Sequence, residues 1–484
     1  MLKKLKDQYN NLTAPVKASI WFLLCGFLQK GISMLTTPVF TRIMTEAEYG
    51  SFSVYQTWLS IVQILVTLNL AAGVYVRGLV KNEEDQDRFS SAMLGLSTTC
   101  ILIWTAIYGI SHNFVNDLLD VSTVMVAAML VEAWAQIAYQ FWMNREKVAY
   151  RYKKLVLLTL LYVILKPLLG IVCVLQAEKI HQAESRILST AVISLVLFTG
   201  LYISIFRKGR KFFHKEYWLY ALKFNIPLLP HYLSQILFNQ SDRLMINSIC
   251  GSEEAAYYTV AYTIAMVLQI LNTSVSATMN PWIYKSLKAK QYKNIGKVSY
   301  WVLGVIALMN LAVVLGAPEI LRIMAPENYQ AALWVIPPVT VSVYFSFLYD
   351  LFVVFEFYFE KTYYVTMATI VNAVLNIVLN AILIPRFGFV AAGYTTLFCF
   401  ILYAITHYLL MKKVTKAYLD DEKLYDPKII VVLGAALLVG AGVTMLLYDW
   451  LLVRYGLIFI MGAIALWKRK DIMGLIKTMK MKEL

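Results

Sequence analysis

Charge is scarce in this 484-residue sequence: Asp, Glu, Lys and Arg together make up 15% of it, against ~25% in soluble domains. Histidine and cysteine occur five times each. Cys25, Cys100, Cys173 and Cys399 fall in separate apolar runs, and Cys250 lies near a short loop. Such thiols read as packing residues, not as a disulfide framework. There is no Gly-rich phosphate loop, no HExxH and no Cys or His cluster with metal spacing. Nucleotide-hydrolysing and metalloprotease chemistries are thereby excluded, and the isolated His231 and His407 read as packing or hydrogen-bonding residues. No cleavable signal peptide is expected, because the first apolar run is too long and continues as a span.

Apolar side chains are abundant instead. The chain is 60% hydrophobic, with a mean hydropathy of +0.63. Apolar stretches of a length that crosses a bilayer recur between short polar breaks. About fourteen spans follow, at 17–41, 50–75, 90–111, 121–142, 155–175, 187–206, 221–249, 257–280, 298–316, 331–359, 363–385, 389–411, 429–448 and 455–467. The formal net charge of +15 would suggest nucleic acid in a soluble protein. Here 35 of the 44 Lys and Arg lie in the two termini and every second loop, and six lie in the alternate loops. Cytoplasmic loops carry this excess, so both termini are expected inside and no nucleic acid is expected as a partner.

A weak repeat divides the chain. TEAEYGSFSV at 45–54 aligns with GSEEAAYYTV at 251–260, and the same offset lays Gln63 on Gln269 and Thr67 on Thr273. The reading is an all-α integral membrane protein with two pseudo-symmetric six-helix bundles around a central cavity, plus two extra C-terminal helices. The lobes are expected at 1–215 and 216–416, with the appendix and basic tail at 417–484. Parallel repeats of this kind occur in transporters. The charged stretch YLDDEKLYD at 418–426 reads as a solvated linker.

Polar residues inside spans mark faces turned away from lipid. Lys30, Ser33, Thr37 and Thr41 share a face of the first span. Gln56, Ser60, Gln63 and Thr67 do so in the second. His231, Gln235 and Asp242, with Asn239 beside them, do so in the seventh. Gln269, Thr273, Ser276 and Asn280 do so in the eighth, with Asn272 at its margin. Four stripes in equivalent places of a repeat point to one hydrated cavity, whereas a single stripe would read as helix–helix glue. Pro38, Pro227, Pro230 and Pro281 mark candidate hinges, Pro281 reading equally as the end of a span.

Three cations fall within spans: Lys30, Lys166 and Arg243. Lys30 lies ~20 Å from one end of its span and ~18 Å from the other, too deep for its stem to reach water. Glu132 and Lys166 match in depth on consecutive spans, so a structural ion pair is expected between them. Lys30 is then left for an anionic ligand. Arg243 is near enough to the outer end to snorkel, Asp242 lies on the polar stripe, and Asp350 and Glu356 read as interfacial.

Three blocks carry a resemblance: PVFTRIMTEAEYGSFSVY at 38–55, NQSDRLMINSICGSEEAAYYTVAY at 239–262 and NIVLNAILIPRFGFVAAGYTT at 376–396. Together they resemble the Wzx-type flippases of O-antigen, capsule and exopolysaccharide biosynthesis, in the multidrug/oligosaccharidyl-lipid/polysaccharide superfamily. Ala256 and Ala391-Ala392-Gly393 depart from the usual glycine positions by small-for-small changes. The resemblance implies a two-lobed, MATE-like fold working by alternating access. It implies as substrate an undecaprenyl-diphosphate-linked oligosaccharide, moved from the inner to the outer leaflet of a bacterial cytoplasmic membrane. Membrane lipids, a polysaccharide polymerase and glycosyltransferases are the implied partners. No cofactor is implied; a proton gradient, a sodium gradient or the membrane potential is left to drive transport. Drug exporters of the superfamily place an acid in the first helix, where this chain has Lys30, which weighs against a cation-coupled drug exporter. A membrane-embedded polymerase or acyltransferase would need a catalytic outer loop or a His-centred site. A passive scaffold would not need four aligned stripes.

Overall fold

The computed structural model describes residues 13–419, 422 and 424–467. The linker at 418–426 falls partly outside the described residues, as do the basic tails at 1–12 and 468–484. Among the described residues the structure is helical, without strands. The first unit holds α1 (Ala14–Ile43), α2 (Glu46–Thr67), α3 (Val74–Lys81), α4 (Gln86–Leu119), α5 (Thr123–Val148), α6 (Tyr152–Gln176), α7 (Gln182–Gly209) and α8 (Lys215–Asn225). Then follow α9 (Leu229–Ile249), α10 (Ser252–Lys288), α11 (Tyr292–Leu315), α12 (Ala317–Met324), α13 (Ile336–Tyr358), α14 (Thr362–Phe387), α15 (Val390–Tyr418), α16 (Pro427–Leu446) and α17 (Leu451–Trp467).

Leaving aside the short α3, α8 and α12, fourteen helices match the fourteen expected spans in order. Eleven are long and apolar enough to cross a membrane. The amphipathic α2 and α9 are not among them, since their Gln, Ser, Thr and Asn side chains lower the hydropathy, and α17 is short. Pro227 sits in a 3-10 turn, Ile226–Leu228, that separates α8 from α9 where one span was expected. Pro281 does not end its helix: α10 runs through it for 37 residues, ~55 Å at 1.5 Å per residue.

The chain divides into two compact units, Met1–Gln240 and Ser241–Leu484. The boundary falls inside α9, not at 215/216. The reason is that the segment before α9 belongs to the first unit. Asn225 Nδ2 donates to the carbonyls of Leu68 at 2.6 Å and Asn69 at 2.9 Å, and Trp218 Nε1 donates to Ala92 O at 2.8 Å.

In the first unit, α5 packs against α7, α4 and α2, while α1 lies along α6. Thr45 caps α2 by accepting from Glu48 N at 3.3 Å, while its own N–H donates to Gln182 Oε1 of α7 at 2.9 Å. Gly95 lets α4 touch the backbone of the α7–α8 loop: a Cβ there would lie 2.0 Å from Phe212 O. In the second unit, α13 is buried along nearly its whole length among α10, α11 and α15. The appended α16 packs on α11 and α13. Arg454 of α17 makes two bonds to the Glu319 carboxylate, at 2.7 and 2.8 Å, and one to Leu315 O at 2.9 Å.

Candidate functional site

The α2 stripe meets α9 in a cavity of about 320 Å³ within the first unit. Its lining is Ser60, Gln63 and Ile64 of α2, Asn69 of the turn after α2, Gln140 of α5, and Tyr232, Gln235 and Ile236 of α9. Ligand pockets run from ~300 to ~1,000 Å³, so it holds a small ligand or part of a large one. Three carboxamides from glutamine, one from asparagine and two hydroxyls offer both donors and acceptors. No charged residue is in this lining. The turn carrying Asn69 is built deliberately: Leu68 and Asn69 have φ of 51° and 49°, and Asn225 holds both of their carbonyls.

Of the expected site residues, Ser60, Gln63 and Gln235 come together here. Thr67 is buried, with its hydroxyl on Gln63 O at 2.6 Å, and Gln56 is half-buried, its carbonyl bonded by Ser60 Oγ at 2.9 Å. Neither is in the lining. His231 is half-buried, and Asn239 is exposed with Nδ2 on Gln235 O at 2.7 Å.

The α1 stripe does not join this lining. Thr37 and Thr41 are buried and bond back to their own helix, at Ser33 O (3.1 Å) and Pro38 O (3.3 Å). Ser33 and Lys30 are exposed. Lys30 lies within an apolar helix whose Leu23, Leu24 and Phe27 are exposed beside it.

The expected Glu132–Lys166 ion pair is not formed. Glu132 is fully buried and accepts from Tyr55 Oη at 2.9 Å and Gln136 Nε2 at 3.1 Å. Lys166 lies over the Tyr162 ring, 5.9 Å from its centroid. The physical reason is packing: α6 lies against α7 and α1 more than against α5, so equal depth on consecutive helices does not bring the groups into contact.

In the second unit, the expected cavity residues turn inward. Asp242 is 2% exposed. Its carboxylate accepts from Tyr258 Oη (2.5 Å), Asn380 Nδ2 (2.6 Å) and Thr396 Oγ1 (2.8 Å). This is a closed, satisfied network rather than an open binding face. Arg243 stands over the Tyr262 ring at 4.5 Å. Asn272 bonds Val343 O of α13 at 2.8 Å, and Ser276 bonds Asp350 at 3.3 Å. Thr273 is exposed and bonds back to Gln269 O at 2.8 Å, Gln269 being half-buried. Within the α10 stripe, Asn272 and Ser276 therefore tie α10 to α13, while Thr273 does not. Glu356 is fully buried and paired with His407 Nδ1 at 2.7 Å.

Asn69, Gln140 and Tyr232 were not singled out from the sequence. Gln140 was legible, since Glu132, Gln136 and Gln140 repeat at four-residue spacing on α5. Asn376 and Asn380 show the same spacing on α14. Asn69 had no such signal, because its place depends on the turn that Asn225 holds.

Fold and cavity together define a multi-pass, all-α membrane protein with a neutral polar pocket. The chain belongs to the family of polysaccharide biosynthesis proteins, whose model matches residues 16–287. A protein of the Lsg locus of Haemophilus influenzae is 22% identical over 392 residues, covering 75% of this chain and 89% of that protein. Among solved structures, the lipid II flippase MurJ in an inward closed conformation superposes with a TM-score of 0.71 at 12% identity, over 94% of this chain and 100% of that one. An inward-facing multidrug resistance MATE family transporter of the MOP superfamily gives 0.59 at 14% identity, over 83% and 98%. The chain has the MATE-like fold that these structures share.

Proposed function

We propose that the chain is a flippase that carries an undecaprenyl-diphosphate-linked oligosaccharide from the inner to the outer leaflet of a bacterial cytoplasmic membrane by alternating access. The observation that carries this reading is the pocket lined by Ser60, Gln63, Asn69, Gln140, Tyr232 and Gln235. Neutral amides and hydroxyls in an otherwise apolar bundle complement the hydroxyls of a sugar. They offer no carboxylate to a lipophilic cation, which weighs against a drug exporter. The family and the likeness to a lipid II flippase support the same substrate class. Lys30, deep in α1 and exposed, is the cation we assign to the diphosphate. The Lys and Arg distribution supports cytoplasmic termini. A polymerase and glycosyltransferases are the partners this role requires, with an ion gradient or the membrane potential as drive.

The test is flipping of a fluorescent undecaprenyl-diphosphate oligosaccharide in proteoliposomes. Wild type moves it, and Gln63→Leu with Gln235→Leu slows it strongly. Lys30→Ala abolishes transport and Lys30→Arg reduces it less, both proteins accumulating normally. Export of a lipophilic cation in place of the lipid-linked sugar would overturn the reading, and wild-type flipping by Lys30→Ala would remove the diphosphate contact.

A further inference from the structure

The pocket is connected by side-chain hydrogen bonds to a carboxyl group that it does not touch. Gln63, in the lining, turns Nε2 to Gln136 Oε1 at 3.4 Å. Gln136 turns Nε2 to Glu132 Oε1 at 3.1 Å. Glu132 Oε2 accepts from Tyr55 Oη at 2.9 Å. Glu132 is 0% exposed.

The direction of every bond follows from the carboxylate. An ionised carboxylate only accepts, so Gln136 must offer it the amide nitrogen. That leaves the Gln136 oxygen, which also only accepts, so Gln63 must offer its nitrogen in turn. The Gln63 carbonyl oxygen, with the second N–H of its amide, is what remains for the pocket. Once Glu132 carries a proton, its O–H donates to the Gln136 oxygen. The Gln136 amide turns over, its nitrogen donates to the Gln63 oxygen, and the Gln63 NH2 is left for the pocket.

We propose that Glu132 is a proton-binding site that sets, through Gln136, which end of the Gln63 amide is turned toward the pocket ligand. The inference rests on this pocket being the ligand site. It makes Glu132 a positioning residue, with no contact to substrate. Around Glu132, α2 supplies Tyr55, and α6 supplies Lys166, which acts on the carboxyl electrostatically, and Tyr162. The layer beside it is apolar: α7 brings Ile187 and Ala191, and α5 itself brings Ala128 and Met129. On the far side, α4 packs Leu96, Ile101 and Cys100 and α3 packs Tyr75, whose hydroxyl is held by Ser90 at 2.7 Å. Proton and ligand binding are then linked, each changing the affinity of the other by the same factor.

The test needs no substrate, so its failure is separate from failure of the flippase reading. Infrared difference spectra between neutral and acidic pH are recorded on the purified full chain. Wild type is expected to show the carbonyl stretch of a protonated carboxylic acid together with glutamine amide bands. Glu132→Gln loses the Glu132 component of the acid band and the amide bands that accompany it, while the other acidic residues of the chain keep theirs. Gln136→Leu keeps the acid band and loses the amide bands, an outcome that decides the relay even if Glu132→Gln fails to fold. Glu356→Gln, in the other unit, leaves both signals in place. A Glu132→Gln spectrum identical to wild type, or amide bands that persist in Gln136→Leu, would overturn the proposal.

Discussion

Replacing Asp242 by alanine strands three donors at once. Tyr258, Asn380 and Thr396 all give their hydrogen bonds to this carboxylate, at 2.5, 2.6 and 2.8 Å. All three sit in the buried interior of the second unit. Interhelical hydrogen bonds in membrane bundles average ~0.6 kcal/mol and reach ~1.7. Three of them therefore put the cost of Asp242→Ala at about 2 to 5 kcal/mol. Asp242→Asn costs less. Its oxygen still serves Asn380, and its NH2 meets two hydroxyls that can accept as well as donate. Thr396→Val removes one donor only and lies nearest the single-bond figure. The double variant Asp242→Ala with Thr396→Val costs less than the sum, because the stranded hydroxyl is gone. Thermal unfolding of the purified protein in detergent ranks the variants. The network reasoning fails if Asp242→Ala is as stable as wild type, or if the single and double changes simply add.

The Arg454 guanidinium beside Glu319 holds the Glu319 carboxyl below its ordinary range. The folded protein thus binds fewer protons there than the unfolded chain. The stabilisation is complete above the unfolded value of ~4.3 and is lost as pH falls through the folded value. Melting temperatures should fall less steeply below that pH in Glu319→Gln than in wild type, and parallel curves would show that the pair contributes nothing. Gly95→Ala places a methyl group against Phe212 O, backbone against backbone, with a cost of ~1–3 kcal/mol or more. Gly109 has open space around it, so Gly109→Ala is expected to gain up to ~1 kcal/mol of helix propensity. Equal melting temperatures for the two variants would contradict the packing between α4 and the α7–α8 loop.

The order of the fourteen longer helices was legible in the sequence, since hydropathy is a property of the chain itself, whereas the short α3, α8 and α12 were not. The unit boundary was not, because it depends on Asn225 reaching the Leu68–Asn69 turn. The ion pair of Glu132 with Lys166 failed for a related reason: depth along a helix is read from numbering, but rotation and neighbour choice are set by packing. Asp242 was read as facing a cavity; in the structure it meets Tyr258, Asn380 and Thr396 of α10, α14 and α15.

Side-chain reach explains which stripes became a site. Ser and Thr hydroxyls can return to the carbonyl one turn back. Thr37, Ser60, Thr67 and Thr273 all do so. A stripe of hydroxyls can therefore be polar in sequence and self-contained in structure. Glutamine carries its amide two carbons further and has both a donor and an acceptor to place. Gln63 reaches across to Gln136, and Gln235 meets Gln63 and Gln140 at the cavity. Buried asparagines behave the same way where a neighbouring helix is close, as Asn272 and Asn380 do, while the exposed Asn239 bonds back to its own turn. In an apolar helix, carboxamides at four-residue spacing are thus the stronger mark of a site. Of the α5 series, Gln140 is in the cavity lining and Gln136 bonds the lining residue Gln63, whereas Thr37 of α1 bonds back to its own helix.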